Sequence, residues 1–288
     1  MSLPPIFGID FSSSPNRKKP IVVAGGKLVV ATGASGQQAT VCAKTLTRLE
    51  SLDEFSQWLQ APGPWLGGFD LPFALPREFL QSARWPHANW SEHMKHIQSL
   101  TRAQMVSQFK AFCDARPVGR KFAHRACDKP AGSSPSMKWV NPPVAYMLHA
   151  GATRLCDAGV HIPRLNETAS QKVALEAYPG FFARAVIGTG SYKSDNVAKQ
   201  DKARFEQRKK LIAAMEDGRN PLSLAMQFDA LIKDQALNDA SGDCIDACIC
   251  LMQAAWGLQR REQGYGLPRL IDCVEGWIVS VPLISENL

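Results

Sequence analysis

Short apolar runs open the chain, and their pattern predicts strands before helices. Ile6-Phe7-Gly8-Ile9-Asp10-Phe11 reads as a buried strand. The valine-rich stretches 21–24 and 27–31 flank Gly25-Gly26, a pair that can supply the positive φ values of a tight turn, so a hairpin is expected there. Residues 39–46 offer a third antiparallel strand. Ser51-Leu52-Asp53-Glu54 is a capping box for a short helix that Pro62 and Pro64 bring to a close, after which 65–70 return as a strand. Three strands, a helix and a returning strand make the front half of a mixed sheet.

The period changes to a helical one between residues 77 and 164. Thr101-Arg102-Ala103-Gln104 is a second capping box, followed by Met105, Phe109 and Phe112 at helical spacing. Asn141 before Pro142 and Pro143 opens a helix that Gly159 closes, and the Pro-, Gly- and Ser-rich stretch 129–138 reads as a mobile loop. This block lies between strands of one sheet, so it is expected to be an inserted lid within a single domain spanning residues 1–288. Alternation then resumes. A strand is expected at 173–178, and helices at 179–186, 201–217, 221–236 and 243–262. Residues 269–280 close the chain around Val274 and Trp277. The fold class is α/β, a mixed five-stranded sheet flanked by helices.

Composition narrows the setting. Hydrophobic content of 45% and charged content of 20% are those of a globular chain. No apolar run approaches membrane-spanning length and no leader pattern opens the sequence, so a cytoplasmic protein without membrane contact is expected. Eight cysteines occur without a C-x-x-C pair, which favours reduced core residues over zinc or disulfides. The net charge of +7 is concentrated: thirteen Lys or Arg against five Asp or Glu fall between Arg77 and Arg164, leaving the remainder near neutral. Its densest part holds Arg116, Arg120, Lys121 and Arg125 beside Phe122 and His124, a composition suited to a polyanion.

Five carboxylates interrupt or end these apolar segments. Asp10, Asp70 and Glu176 sit in strands, and Asp243 and Asp246 share one face of the first turn of a helix. A carboxylate is costly to bury without a cation. Five in such places point to a common partner, for which a divalent metal is the simplest. The all-oxygen donor set suits Mg²⁺ or Mn²⁺.

The ordered set Gly8-Ile9-Asp10-Phe11-Ser12, Phe69-Asp70-Leu71-Pro72-Phe73, Glu176-Ala177-Tyr178-Pro179 and Asp243-x-x-Asp246-Ala247 resembles an uncharacterised family of predicted nucleases with a ribonuclease H-like fold, of the domain of unknown function 429 type. Tyr192-Lys193, Arg204 and Glu275-Gly276-Trp277 extend the resemblance over nearly the whole chain. It implies a metal-dependent nuclease that hydrolyses phosphodiester bonds with two ions. Asp10 would bridge them, with Asp70 and Asp243 or Asp246 holding one each and Glu176 as a further catalytic acid. Ser12, Arg120, Lys121, Arg125, Lys193 and Arg204 are the residues for phosphate or nucleic acid, or for another phosphorylated substrate. Junction-cutting relatives act as dimers, which leaves oligomeric state open. Two alternatives remain: an ATP-dependent phosphotransferase of the sugar-kinase and actin-like class, using Asp10-Phe11-Ser12-Ser13-Ser14 and Gly188-Thr189-Gly190-Ser191 on phosphates, and a non-catalytic binding protein.

Overall fold

A computed structural model describes residues 3–33 and 36–283. Among them, six strands form one mixed sheet in the order β5-β4-β1-β2-β3-β6. These are β1 (Ile6–Asp10), β2 (Ile21–Gly33), β3 (Gly36–Leu49), β4 (Trp65–Asp70), β5 (Lys172–Glu176) and β6 (Ala225–Phe228). β2 is antiparallel to β1 and β3, whereas β4 runs parallel to β1, β5 to β4 and β6 to β3.

Helix α1 (Leu52–Gln60) links β3 to β4, and its N-cap Ser51 accepts from the Glu54 N–H. The insertion between β4 and β5 holds α2 (Arg77–Ser82), α3 (Trp90–Ser99), α4 (Arg102–Asp114), α5 (Asp128–Ala131), α6 (Val144–Met147) and α7 (Thr153–Asp157). Thr101 and Gln104 form the expected reciprocal cap on α4. After β5 come α8 (Pro179–Ile187), α9 (Lys202–Asp217), α10 (Ala230–Asn238) and α11 (Asp243–Gln259). No helix among the described residues is long and apolar enough to cross a membrane.

Three expectations are corrected. Gly25-Gly26 makes no hairpin turn. β2 runs through it, and the pairing with β3 skips Lys44 at a bulge, where an added Cβ on Gly26 would stand 2.4 Å from the Cys42 carbonyl oxygen. The helix expected at 221–236 begins only at Ala230, after a turn and a sixth strand at Ala225–Phe228. Leu222, Leu224 and Met226 alternate into the core with the period of two that marks a strand. The loop at 129–138 is not a free one, because it starts as α5 and buries Ser136 and Met137.

Two apolar cores flank the sheet. One packs α11 against Ile6, Leu66 and Leu175. The other holds Ile9, Phe11 and Phe69 against α1 and the insertion. β1 serves both by alternation: Ile6, Gly8 and Asp10 face α11, while Ile9 and Phe11 face the aromatic side.

Candidate active site

Glycines on two central strands decide where the acids meet. A Cβ on Gly8 would stand 2.0 Å from the Leu251 nitrogen and 2.1 Å from the Ala247 oxygen, and one on Gly68 would stand 2.6 Å from the Cys250 oxygen. Only hydrogen fits, so α11 lies directly on β1 and β4. Asp10 and Asp70, two residues further along the same face, are register partners at the ends of these parallel strands. The first turn of α11 sits above them. One of its free N–H groups, that of Cys244, donates to Asp239 at 2.8 Å, and neither Asp243 nor Asp246 is consumed as a cap.

All four carboxylates are withdrawn from water to different degrees. Asp246 is fully buried, Asp243 and Asp10 nearly so, and Asp70 partly exposed. Burial pushes the Asp10 carboxyl well above the usual range, and the charges of Asp243, Asp246 and Asp70 push it further. Asp70 is raised to about 7, first by burial and then by Asp246 and Glu176, against the opposing pull of Lys193. Asp243 is raised by burial despite Lys19. Buried acids that repel one another this way are stabilised in their ionised forms by positive charge.

Two lysines already stand there. Lys19 Nζ lies 2.7 Å from Asp243 Oδ1 and 2.7 Å from Asp195 Oδ1. Lys193 Nζ bonds the Asp246 carboxylate, whose other oxygen accepts from the Tyr192 hydroxyl at 2.6 Å. The Tyr192 carbonyl is held in turn by Arg208, at 2.7 Å. The acids here outnumber the ammoniums, since Lys19 is shared by Asp243 and Asp195, Lys193 serves Asp246, and Asp10 and Asp70 have no lysine bonded to them. Among the described residues, no group of three or more His, Cys, Asp or Glu stands in metal-holding range. The donor chemistry fits Mg²⁺ or Mn²⁺. In this arrangement, however, the ammoniums hold the two helix acids.

Glu176 behaves differently. It is the register partner of Phe69 and so belongs to the opposite face of the sheet. Its oxygens accept from Arg125 Nη1 at 2.7 Å and Nη2 at 2.6 Å, and from the Phe73 N–H at 2.9 Å. Arg125 also bonds Asp128 and the Glu275 carbonyl. With 2% exposure and every donor engaged, Arg125 is not the solvated phosphate ligand its basic neighbourhood suggests. It ties the insertion to β5.

A cleft of about 760 Å³ runs between the strand ends, the insertion and the strap 188–195. Asp10, Asp70, Glu176, Asp243, Ser12 and Lys193 all line it. Arg120 and Lys121 are exposed and do not line the cleft, and neither does Arg204, which pairs with Asp201 at 2.6 Å. Lys19 and Asp195 are site residues that sequence reasoning misses, and Tyr192 enters it only as part of the resemblance, without a role. Lys19 follows Arg17-Lys18, and nothing in that run marks one lysine as inward-facing.

Neither the curated proteins nor the solved structures contain a match to this chain. One family model does match, over residues 8–268, a span that takes in all five carboxylates. The chain thereby belongs to the family described as protein of unknown function (DUF429).

Proposed function

We propose that the protein is a metal-dependent hydrolase of phosphodiester bonds, a nuclease working in the cleft bounded by Asp10, Asp70 and Asp243. One observation carries this reading: four carboxylates from two strands and a helix share one face with only two ammonium partners. A ribonuclease H-like core belongs to the same proposal. β1 to β5 supply it, with the acid of the first strand at the sheet centre and β6 added beyond β3.

Asp10, Asp70, Asp243 and Asp246 are the residues that would hold Mg²⁺ or Mn²⁺, which supplies Lewis acidity toward a phosphoryl oxygen and lowers the pKa of an attacking water. The remaining roles belong to the chain. Lys193 and Lys19 carry the positive charge beside the acids and neutralise an incoming phosphate. The Ser12 hydroxyl, at the mouth next to Asp10, donates to a non-bridging oxygen. Glu176, fixed by Arg125, holds the Phe73 N–H and so the turn that follows Asp70. Its part is to position Asp70.

The ATP-dependent alternative has one observation in its favour, since Gly188, Thr189, Gly190 and Ser191 line the same cleft as Ser12. RNA and DNA substrates incubated with Mn²⁺, beside an ATPase assay, separate the two. For the nuclease, Asp10→Asn abolishes cleavage and removes the Mn²⁺-induced rise in melting temperature, because a ligand stabilises only the state that binds it. An equal metal shift in wild type and variant would sink the assignment of Asp10.

A further inference from the structure

The walls of the cleft say which form of nucleic acid can reach the acids. Three arginines fasten the insertion to the core around it. Arg102 reaches across to the Ser13 carbonyl and to Ser14 Oγ at 3.1 Å. Arg125 grips Glu176 with two bonds, and Arg184 on α8 donates to the Ala131 carbonyl of α5. The Arg125 pair is nearly inaccessible to solvent on both sides, so opening it would strand buried charges. The insertion is therefore a fixed wall.

Two of the cleft acids lie inside that wall, Asp10 at 8% exposure and Asp243 at 3%, and Asp70 is partly exposed beside them. A scissile phosphate must enter the cleft to reach them. Its volume of about 760 Å³ falls among pockets that enclose one small-molecule-sized ligand, about 300–1,000 Å³. That space accepts a nucleotide and its flanking phosphates. The same nucleotide stacked and paired in a continuous double helix is larger than that space.

The lining matches an unpaired base. Tyr178 forms part of the wall, and the Arg184 guanidinium lies 5.4 Å from its ring centroid. The Tyr178 N–H is fixed at 3.0 Å by Gln253 Oε1, a fully buried side chain of α11. Pro142, Val144 and Met147 of the insertion add apolar surface to the same cleft. A rigid ring backed by an arginine, next to apolar surface, is the platform on which single-stranded nucleic acid stacks whatever its sequence.

We infer that the cleft takes unpaired nucleotides of a single strand, stacked on Tyr178, and excludes intact duplex. This inference rests on the nuclease reading and extends it to a substrate class.

The test uses a short fluorescein-labelled oligonucleotide, as RNA and as DNA, alone and annealed to its complement. Binding to the full chain is followed by anisotropy, and cleavage in Mn²⁺ by gel. Single strands are expected to bind at least about tenfold tighter than duplexes. Tyr178→Leu weakens single-strand binding by about tenfold, within the range for losing one stacked base, while the variant still melts cooperatively in metal-free buffer. Tyr178→Phe keeps the ring and restores affinity, which a merely structural role for the hydroxyl would not allow. Equal or tighter binding of duplex overturns the inference. Duplex cut by wild type and not by Asp10→Asn leaves the nuclease reading standing and this one fallen. Failure to bind any oligonucleotide, with a Mn²⁺ shift still present in wild type alone, also overturns it and turns the site toward a small phosphorylated compound.

Discussion

The two faces of the sheet are made of different material, and the same central strands serve both. Toward α11 the strands present Gly8, Gly68, Asp10 and Asp70, and the helix answers with Ala247, Cys250, Leu251 and Ala254. Toward the insertion they present Ile9, Phe11 and Phe69, met by Phe55, Trp58 and Phe73 in a chain of edge-on and tilted aromatic contacts. One face trades side-chain volume for close backbone approach and tolerates buried charge. The other collects apolar area, and the charge it buries is the fully paired cluster of Arg125 with Glu176 and Asp128. Close backbone approach and bulk apolar burial are divided between the two sides of strands a few residues long.

The contrast is broken most severely from the aromatic side. Phe55 is fully buried, and Phe55→Ala is expected to cost about 3–5 kcal/mol in urea unfolding, as for other buried aromatics. The Mn²⁺ shift of the surviving folded protein is retained, because no acid rests on that ring. Gly8→Ala is the mirror experiment. It adds a single methyl 2.0 Å from the Leu251 nitrogen, which forces α11 off the sheet at about 3 kcal/mol or more. Here the metal shift vanishes together with the stability. A Gly8→Ala protein that kept a wild-type metal response would mean that the seating of the helix does not place the acids.

The same division governs what is legible in the sequence. The acids stand out because a carboxylate inside an apolar run is locally anomalous, and Asp243-x-x-Asp246 because helical spacing alone puts both on one face. Lys19 and Arg125 do not stand out. Each lies in a basic run that reads as solvated, yet each meets a partner far along the chain, 224 residues away for Lys19 and 51 for Arg125, that the run itself does not announce. Gly25-Gly26 carries a strong turn signal, yet the pairing of β2 with β3 overrides it. The 221–236 stretch misleads for a related reason: its three alternating core residues merge with the apolar pattern of the helix that follows them.

Each face also has its own pH dependence, with opposite signs. On the acidic face, Asp70 is raised from its ordinary 3.8 to about 7. The folded chain holds that proton more tightly than the unfolded one, so its contribution is present below about pH 4 and lost as pH rises through 7. Asp70→Asn removes the loss and is expected to stabilise the metal-free protein above neutral pH by about 2–4 kcal/mol, near 1.4 kcal/mol for each tenfold change in proton affinity. On the insertion face, burial lowers His93 from 6.5 to about 3, helped by His96 and His87, and neither ring nitrogen finds a partner. Below pH 6.5 the unfolded chain takes up a proton that the folded one refuses. Wild type should lose about 2 kcal/mol between roughly pH 7 and pH 5 through this residue, and His93→Leu should retain it. Urea midpoints at the two pH values read the difference. Parallel losses in both proteins would move the cause elsewhere.

The smallest expected effect asks whether the outer surface of the insertion contributes to binding at all. Arg120 and Lys121 are exposed, and Lys121 makes only a loose 4.0 Å approach to Asp114, so both are free to meet phosphate. Replacing the two with Ala should leave the melting temperature unchanged, since neither buries apolar area. Oligonucleotide affinity at low salt falls modestly, and the log-log dependence of binding on salt flattens by roughly 2 units, about one for each phosphate no longer neutralised. Arg125 cannot be added to that set. Arg125→Ala leaves Glu176 and Asp128 without their counter-ion in a dry interior, and it should unfold the insertion rather than flatten a slope. An unchanged slope in the double variant would confine recognition to the cleft, with Lys19 and Lys193 as its positive charges. The excess of lysine and arginine in the insertion would then be plain solvated surface.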